Sequence, residues 1–286
     1  MAKKDLRFIK YESRPSLQSS KDVEQLGDRE WEVFEKIDGG NCQVRNSGGW
    51  TLHAGSRANF LRGQVVRKRE WFGRLTKWMY SNPSLFNLPD NYVVYGEWSG
   101  NHKITYLPEN TDNFFVLDVL NLSNGRFMEY GESRKFLEGR DIKGIRFLDI
   151  LFRGKLKPED LENLLYEKSA YYEGPKEGLV IKDYNSTPQS FYKLYHPEHS
   201  EKLAVDGQVD YLTSARFIKA GYRLIEEKNV EKIKPSDLIR EVVNDIFTEE
   251  SVLVPENKAR VKLKSLLKSG ELRSLIKKVK THYLSC

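Results

Sequence analysis

Cysteine is scarce in this chain: there are two in 286 residues, Cys42 and Cys286, far apart and in no C-x-x-C pair. That spacing suggests neither a zinc cage nor a disulfide framework and makes thiol chemistry a poor basis for function. Long apolar runs are missing as well. No stretch approaches the roughly 20 residues a membrane helix needs, and the opening MAKKDLRFIK lacks the apolar stretch of a signal peptide. The expectation is therefore a cytoplasmic protein with no membrane partner. Internal repeats and low-complexity tracts are also absent. Acidic residues thin out near the end, where Glu271 alone opposes Lys258, Arg260, Lys262, Lys264, Lys268, Arg273, Lys277, Lys278 and Lys280.

What is present sets the class. The 39% hydrophobic content supplies ordinary buried cores, and the length suits one large domain or a main domain with a small companion. A formal charge of +6 favours an anionic partner, of which nucleic acid is the usual kind. Composition alone fits a solvated lysine-rich surface equally well. The local one-sided clustering from Lys258 to Lys280 favours a phosphate-binding surface.

The pattern along the chain changes once. From Trp31 to Ala54 it is strand-like: WEVFEKID, then CQVRN, a turn at Ser47, Gly48 and Gly49, and WTLHA. Apolar residues between Gln64 and Tyr80 recur at helical spacing. NYVVYGEW and FFVLDVLNL read as buried strands, PEDLENLLY as a short helix with proline in its first turn, and GLVIKD and SFYKLYHP as two further strands. Beyond Pro197 the alternation stops. Leu238, Ile239, Val242, Val243, Ile246 and Phe247, then Leu272, Leu275, Ile276, Val279 and Tyr283, recur at helical intervals. The expected boundary lies near 200 to 212, with a helical segment after it. His196 and His199 flank Pro197, which disfavours a helical metal pair. Trp71, Trp78 and Trp98 are candidates for base stacking, with core packing the commoner use.

An ordered set of polar motifs runs through the strands. Glu35-Lys36-Ile37-Asp38-Gly39 comes first, followed by Ser56-Arg57, Tyr95-Gly96-Glu97, Phe114-Phe115-Val116-Leu117-Asp118, Glu177-Gly178-Leu179-Val180-Ile181-Lys182 and lastly Lys193. One short motif is weak, but motifs in order, each on or beside a predicted strand, are not. In this order the chain resembles the ATP-dependent DNA and RNA ligase superfamily of covalent nucleotidyltransferases, and most closely the phage-type RNA ligase 2 family, over approximately its whole length.

The resemblance implies an α+β fold: a ligase-type adenylyltransferase domain over 1–205, with antiparallel sheets and flanking helices, then a small all-helical basic domain over 206–286. It implies Lys36 as the nucleophile that takes AMP from ATP, aided by Lys182, Lys193 and Asp38, with Glu177 holding Mg²⁺ or Mn²⁺. Glu35, Arg57, Glu97, Leu117 and Asp118 would serve the nucleotide. Lys258, Arg260, Lys262, Lys264, Lys277 and Lys278 would hold RNA with 5′-phosphate and 3′-hydroxyl ends, a nicked duplex included. A lysine of ordinary pKa is neutral in roughly one of several thousand molecules at pH 7, so Lys36 is expected to be made more acidic by Lys182, Lys193 and the metal.

The chain departs from the family pattern at two positions. Tyr195 stands where a second lysine usually follows Lys193, and Leu117 stands where an aromatic ring usually stacks on adenine, with Phe115 as an alternative. DNA ligases and capping guanylyltransferases share the lysine motif but continue into an OB barrel, and the sequence after Lys193 lacks the short alternating strands of one. A degenerate protein that binds nucleic-acid ends without sealing them is the rival outside enzymes. Intact Lys36, Glu97, Glu177 and Lys193 argue against it.

Overall fold

The computed structural model describes residues 8–47, 51–56, 60, 70–100, 104–199, 203–205, 208–210, 220, 224 and 236–242. The strands come in chain order as β1 (Trp31–Glu35), β2 (Gly40–Asn46), β3 (Leu52–Ser56), β4 (Tyr92–Trp98), β5 (Phe114–Asn121), β6 (Arg126–Phe127), β7 (Ile145–Phe147), β8 (Ile150–Gly154), β9 (Gly178–Asp183) and β10 (Ser190–Tyr195). Three helices join them: α1 (Glu70–Tyr80), α2 (Tyr130–Glu138) and α3 (Pro158–Tyr166). One sheet has the order β10-β9-β1-β8, and a second runs β3-β2-β4-β5-β6 with β7 beside β5. All pairings in these sheets are antiparallel except β5 with β7. The α+β expectation is met.

The apolar run of β5 explains the layering. Successive side chains of a strand point to opposite faces, so Phe114 and Val116 enter one core while Phe115 enters another. The first core joins Cys42, Val44, Val94 and Trp98 to Leu75 and Met79 of α1 and Leu137 of α2. The second gathers Phe34, Ile37, Tyr106, Tyr130, Tyr171, Tyr172, Tyr184 and Phe191 around Phe115, and so joins the two sheets. A strand buried on both faces reads as a near-continuous hydrophobic run, as FFVLDVL does with Asp118 its one polar residue. Burying one such phenylalanine side chain contributes about 1.5–3 kcal/mol. Trp98 is 1% exposed, and the Trp78 ring lies 5.1 Å from that of Phe114 at an interplanar angle of 10°, so both tryptophans pack the core.

Two glycines let strands meet. A Cβ on Gly96, where the β4–β5 register shifts, would overlap the Phe114 ring. A Cβ on Gly178 would run into the carbonyl oxygen of Leu194 on β10. The second matters for the site below, because Gly178 follows Glu177.

The chain divides into two compact units, Met1–Glu12 with Gln18–His196, and Ser13–Leu17 with Pro197–Cys286. Both sheets belong to the first. Within the second, β11 (Leu203–Val205) and β12 (Gln208–Asp210) pair antiparallel, and residues 236–242 are helical with Leu238 and Val242 buried. The all-helical expectation for 206–286 therefore needs a correction at its start: Gln208–Asp210 is extended, drawn into a ribbon with residues before the expected boundary. The stripe from Leu272 to Tyr283 lies outside the described residues, as do residues 64–69 of the helix expected from Gln64. Among the described residues, no helix is long and apolar enough to cross a membrane.

Candidate active site

Three strand ends converge on Lys36, the residue after β1. Its backbone N–H donates to the Gly178 carbonyl at 2.9 Å, and the Glu177 carbonyl in turn accepts the N–H of His196 at 3.0 Å. The register places Tyr195 opposite Gly178 and Lys193 opposite Val180. Lys193 and Tyr195, two apart on one strand, share a face. The Lys36 ammonium donates to both carboxylate oxygens of Glu177 at 2.7 Å. Its side chain keeps 19% exposure and that of Glu177 13%, so the pair is reachable from outside.

Tyr195 completes the cluster. Lys36 Nζ lies 5.3 Å and Lys193 Nζ 5.5 Å from the centre of its ring, and Lys193 Nζ lies 3.4 Å from its hydroxyl oxygen. Glu97 belongs to the same neighbourhood, since its charge acts on Lys36. Gly39 allows this approach: a Cβ there would overlap the Trp98 carbonyl oxygen and stand 3.1 Å from Cγ of Glu97.

The electrostatics differ from the expectation for a lysine ready to attack. Burial acts to lower the Lys36 pKa, but Glu177, then Tyr195 and Glu97, outweigh it, and the ammonium is held above its ordinary value. Lys182, expected to help acidify Lys36, is committed elsewhere. Its Nζ donates to Asp118 at 3.0 Å and to the Leu117 carbonyl at 2.7 Å, in a position where the Lys182 side chain is 2% and Asp118 0% exposed. Asp118 also accepts hydrogen bonds from Tyr184 at 2.7 Å and from Tyr11. In this structure Asp118 and Lys182 thus form a buried knot between β5 and β9 rather than part of the open site.

Asp38 holds the loop after Lys36. Its carboxylate accepts the Ile104 N–H at 2.9 Å, while the Tyr106 hydroxyl accepts the Asp38 N–H at 2.7 Å and donates to the Asp38 carbonyl at 2.8 Å. Burial, and after it Asp38, Glu177 and Glu97, push the Tyr106 phenol well above its ordinary pKa, which keeps it a donor. Tyr106 escaped the sequence reading because NHKITYLPEN carries neither helical nor strand periodicity. Tyr11, Tyr184 and Ser169 escaped too, since their partners lie more than 60 residues away in each case.

Glu35 is 1% exposed, and its carboxylate accepts the Ser169 hydroxyl and, at 3.2 Å, the Ala170 N–H. These bonds tie the 169–170 segment to β1, so the carboxylate is already engaged by protein rather than turned to a nucleotide. Burial raises its pKa above the ordinary carboxylate value of 4.5, with Ser169, Ala170 and Lys176 acting against the shift. A raised native-state pKa means the folded protein holds this proton at pH values where the unfolded chain has released it. Stability contributed at Glu35 is therefore complete below the ordinary value and falls as pH rises through the raised one. Glu35→Gln lacks this titration, so the unfolding free energy of the variant minus that of wild type is expected to increase as pH rises from 4.5. Urea unfolding at several pH values checks this.

Phe115 is fully buried, 5.2 Å from the Tyr171 ring and 6.3 Å from that of Tyr106, and so offers no face to a base in this structure. Leu117 keeps partial exposure. Arg57 and the basic residues Lys258, Arg260, Lys262, Lys264, Lys277 and Lys278 lie outside the described residues. Among the described residues no three His, Cys, Asp or Glu side chains converge as a metal cage.

Fold and site together define an α+β protein centred on a lysine–carboxylate pair, with a second lysine sharing one aromatic ring with the first. The sequence profile of the RNA ligase family matches residues 29–195, more than half of the chain and the whole of this site, and the chain belongs to that family. No curated protein sequence matches it significantly. Among solved structures, the chain is similar to Naegleria gruberi RNA ligase with PPi, at 15% identity and a TM-score of 0.46 over 67% of this chain and 57% of that one. It is similar also to lysine-substituted mutants of that ligase, one with ATP and Mn (15% identity, TM-score 0.47, 67% and 57% covered) and one with AMP and Mn (16%, 0.46, 67% and 58%). The chain spans less than two thirds of the length of these ligases.

Proposed function

We propose that this protein is an ATP-dependent RNA ligase that joins 5′-phosphate and 3′-hydroxyl ends. The observation that carries the reading is Lys36, half-buried and held at 2.7 Å by Glu177 with Lys193 on the same aromatic ring, inside the segment that belongs to the RNA ligase family.

The reaction has three balanced steps. The neutral amine of Lys36 attacks the α-phosphorus of ATP. A P–N bond forms, the bond to the β-phosphate oxygen breaks, pyrophosphate leaves with the electron pair, and the amine loses its second proton. An oxygen of the 5′-phosphate of one RNA end then attacks the AMP phosphorus, a P–O bond forms as the P–N bond breaks, and the Lys36 amine leaves and takes up a proton. In the third step the 3′-hydroxyl of the other end attacks the adenylylated phosphate, loses its proton and expels AMP. Each step is substitution at phosphorus, in which positioning and charge neutralisation supply most of the rate.

Lys36 starts as an ammonium, so it must give up a proton and its contact with Glu177 before the first step. Glu177 is the carboxylate that fits a divalent cation. A single protein carboxylate completed by phosphate oxygens and water is a donor set Mg²⁺ accepts. Held by Glu177, Mg²⁺ or Mn²⁺ would supply positive charge that offsets the α-phosphate. Lys193, 7% exposed and near Tyr195 as Lys36 is, is suited to hold the α-phosphate, and Glu97 to accept hydrogen bonds from the ribose. The basic run from Lys258 to Lys280 is suited to clamp the RNA backbone, an interaction that weakens with salt.

Sealing of matched nicked duplexes tests the reading. The expected result is faster joining when the 3′-hydroxyl strand is RNA than when both strands at the nick are DNA, with ATP required and GTP inactive. Equal or faster sealing of all-DNA nicks would move the assignment to DNA joining. Covalent labelling by GTP alone would move it to capping.

A further inference from the structure

The loop after Lys36 leaves one sheet and enters the other, because β1 belongs to the β10-β9-β1-β8 sheet and β2 to the second. Residues that cross between sheets have no ladder to take their backbone groups, yet Asp38 is only 5% exposed. A single side chain serves both groups. The Tyr106 hydroxyl accepts the Asp38 N–H at 2.7 Å and donates to the Asp38 carbonyl at 2.8 Å, while the Asp38 carboxylate accepts the Ile104 N–H at 2.9 Å. Three bonds from one short segment thus hold one residue of the loop.

Tyr106 is itself anchored. Its carbonyl accepts the Thr111 hydroxyl at 3.3 Å, and its ring stands at 83° to that of Tyr172 with centres 5.8 Å apart. The next residue, Leu107, donates its N–H to the Tyr171 carbonyl at 3.1 Å. Ser169 and Ala170, just before Tyr171, donate to the Glu35 carboxylate. These bonds form a circuit whose two ends, Glu35 and Asp38, bracket Lys36 in the chain.

The consequence falls on the nucleophile. The peptide before Lys36 is fixed by its N–H to Gly178, and the peptide before Asp38 by Tyr106. Between these two planes stand the Cα of Lys36, one further peptide and Ile37, whose side chain is 4% exposed in the same core as Tyr106. Because each peptide is planar and the chain turns only about φ and ψ, the anchors limit the direction in which the Lys36 side chain leaves the backbone.

We infer that Tyr106 is a positioning residue: its hydroxyl, by holding both backbone groups of Asp38, aims the Lys36 amine at the phosphorus it attacks. This rests on the ligase reading, in which that phosphorus is the α-phosphorus of ATP. The role belongs to the hydroxyl rather than to the ring. Because it acts on the geometry of attack, its loss is read in the maximal rate of adenylylation more than in the ATP concentration needed.

The test is single-turnover formation of lysyl-AMP with Mg²⁺ over a range of ATP concentrations, followed by intact mass, together with sealing of nicks whose 5′ end already carries AMP. Tyr106→Phe removes the hydroxyl and keeps the ring. Tyr130→Phe is the control. The Tyr130 hydroxyl accepts the Leu148 N–H at 2.6 Å and donates to the Val116 carbonyl at 3.3 Å in the same core, and so makes the same pair of bonds to residues far from Lys36 in the chain. All three proteins are assayed below the melting temperature of the least stable. Tyr106→Phe is expected to lose on the order of tenfold to a hundredfold in maximal rate, with half-saturating ATP and the sealing of adenylylated nicks each moving less than about threefold. Tyr130→Phe is expected to keep the wild-type rate. Adduct on wild type with an equal rate in Tyr106→Phe overturns the positioning role alone. Equal losses in the two variants, or equal losses in adenylylation and in sealing of adenylylated nicks, assign the hydroxyl to the stability of the fold and overturn that role as well. No adduct on wild type overturns the ligase reading and this inference with it.

Discussion

Lys36→Ala is expected to lose ATP-driven sealing by on the order of a thousandfold or more, yet to seal RNA whose 5′ end already carries AMP. The first half follows from removing the amine assigned to form the P–N bond: Lys36 Nζ lies 2.7 Å from Glu177 and beside Tyr195. The second half follows from the electron count of the last step, in which the 3′-hydroxyl attacks and AMP leaves without the lysine as nucleophile. Some loss of rate is expected there as well, since Lys36 contributes positive charge near the phosphate. Joining of 5′-phosphate and pre-adenylylated nicks by the same preparation measures both. Retained sealing with ATP would assign the nucleophile elsewhere, and loss on both substrates with an intact melting curve would show that Lys36 works beyond the first step.

The second large effect is on stability. Asp118→Ala is expected to destabilise the fold by about 3–5 kcal/mol, because it leaves the Lys182 ammonium buried without its partner. The Lys182 side chain is 2% exposed and Asp118 0%, and Tyr184 and Tyr11 lose their acceptor in the same change. Against a typical stability of about 5–15 kcal/mol this is a large fraction. The double variant Asp118→Leu with Lys182→Met removes both charges and is expected to cost less than Asp118→Ala alone. Urea unfolding of the three proteins decides it. If Asp118→Ala unfolds like wild type and loses only ATP affinity, Asp118 serves the nucleotide, as the motif pattern first suggested.

These two predictions also mark how far the sequence could be read. The strands carrying Lys36, Glu97, Asp118, Glu177 and Lys193 are visible in it, because each is a short apolar or alternating run ended by turn residues. The order of the motifs tells that they belong to one site family. It does not tell which of them touch. Lys182 and Lys193 look alike in the sequence, each a lysine on a late strand. They share one face of the β9–β10 pair and differ in where along it they stand, Lys182 opposite Phe191 and bonded to Asp118, Lys193 opposite Val180 and near Tyr195. Glu35 adjoins the nucleophile and reads as a nucleotide contact until Ser169 and Ala170, 134 and 135 residues on, are seen to engage its carboxylate.

What the sequence missed has similar causes. The helix α2 begins Tyr130-Gly131-Glu132 with little apolar periodicity, and β8 is an edge strand with partly exposed side chains. Short elements of this kind are set by what they pack against, not by their own pattern. Tyr106 is the most consequential omission: its hydroxyl fixes both backbone groups of Asp38, two residues after the nucleophile, from a segment with no regular structure of its own. The expected acidification of Lys36 rests on Lys182, Lys193 and a bound metal; of these Lys182 turns to Asp118, while Glu177 touches the ammonium directly and raises its pKa.

The most direct test of the central claim is the intact mass of wild type and Lys36→Ala after incubation with Mg²⁺ and ATP or GTP, with peptide mapping of any adduct. The account predicts a gain of one AMP on wild type with ATP, none with GTP, none on Lys36→Ala, and the label on the peptide that carries Lys36. An AMP adduct that persists in Lys36→Ala, or no adduct with either nucleotide on wild type free of AMP beforehand, would contradict it.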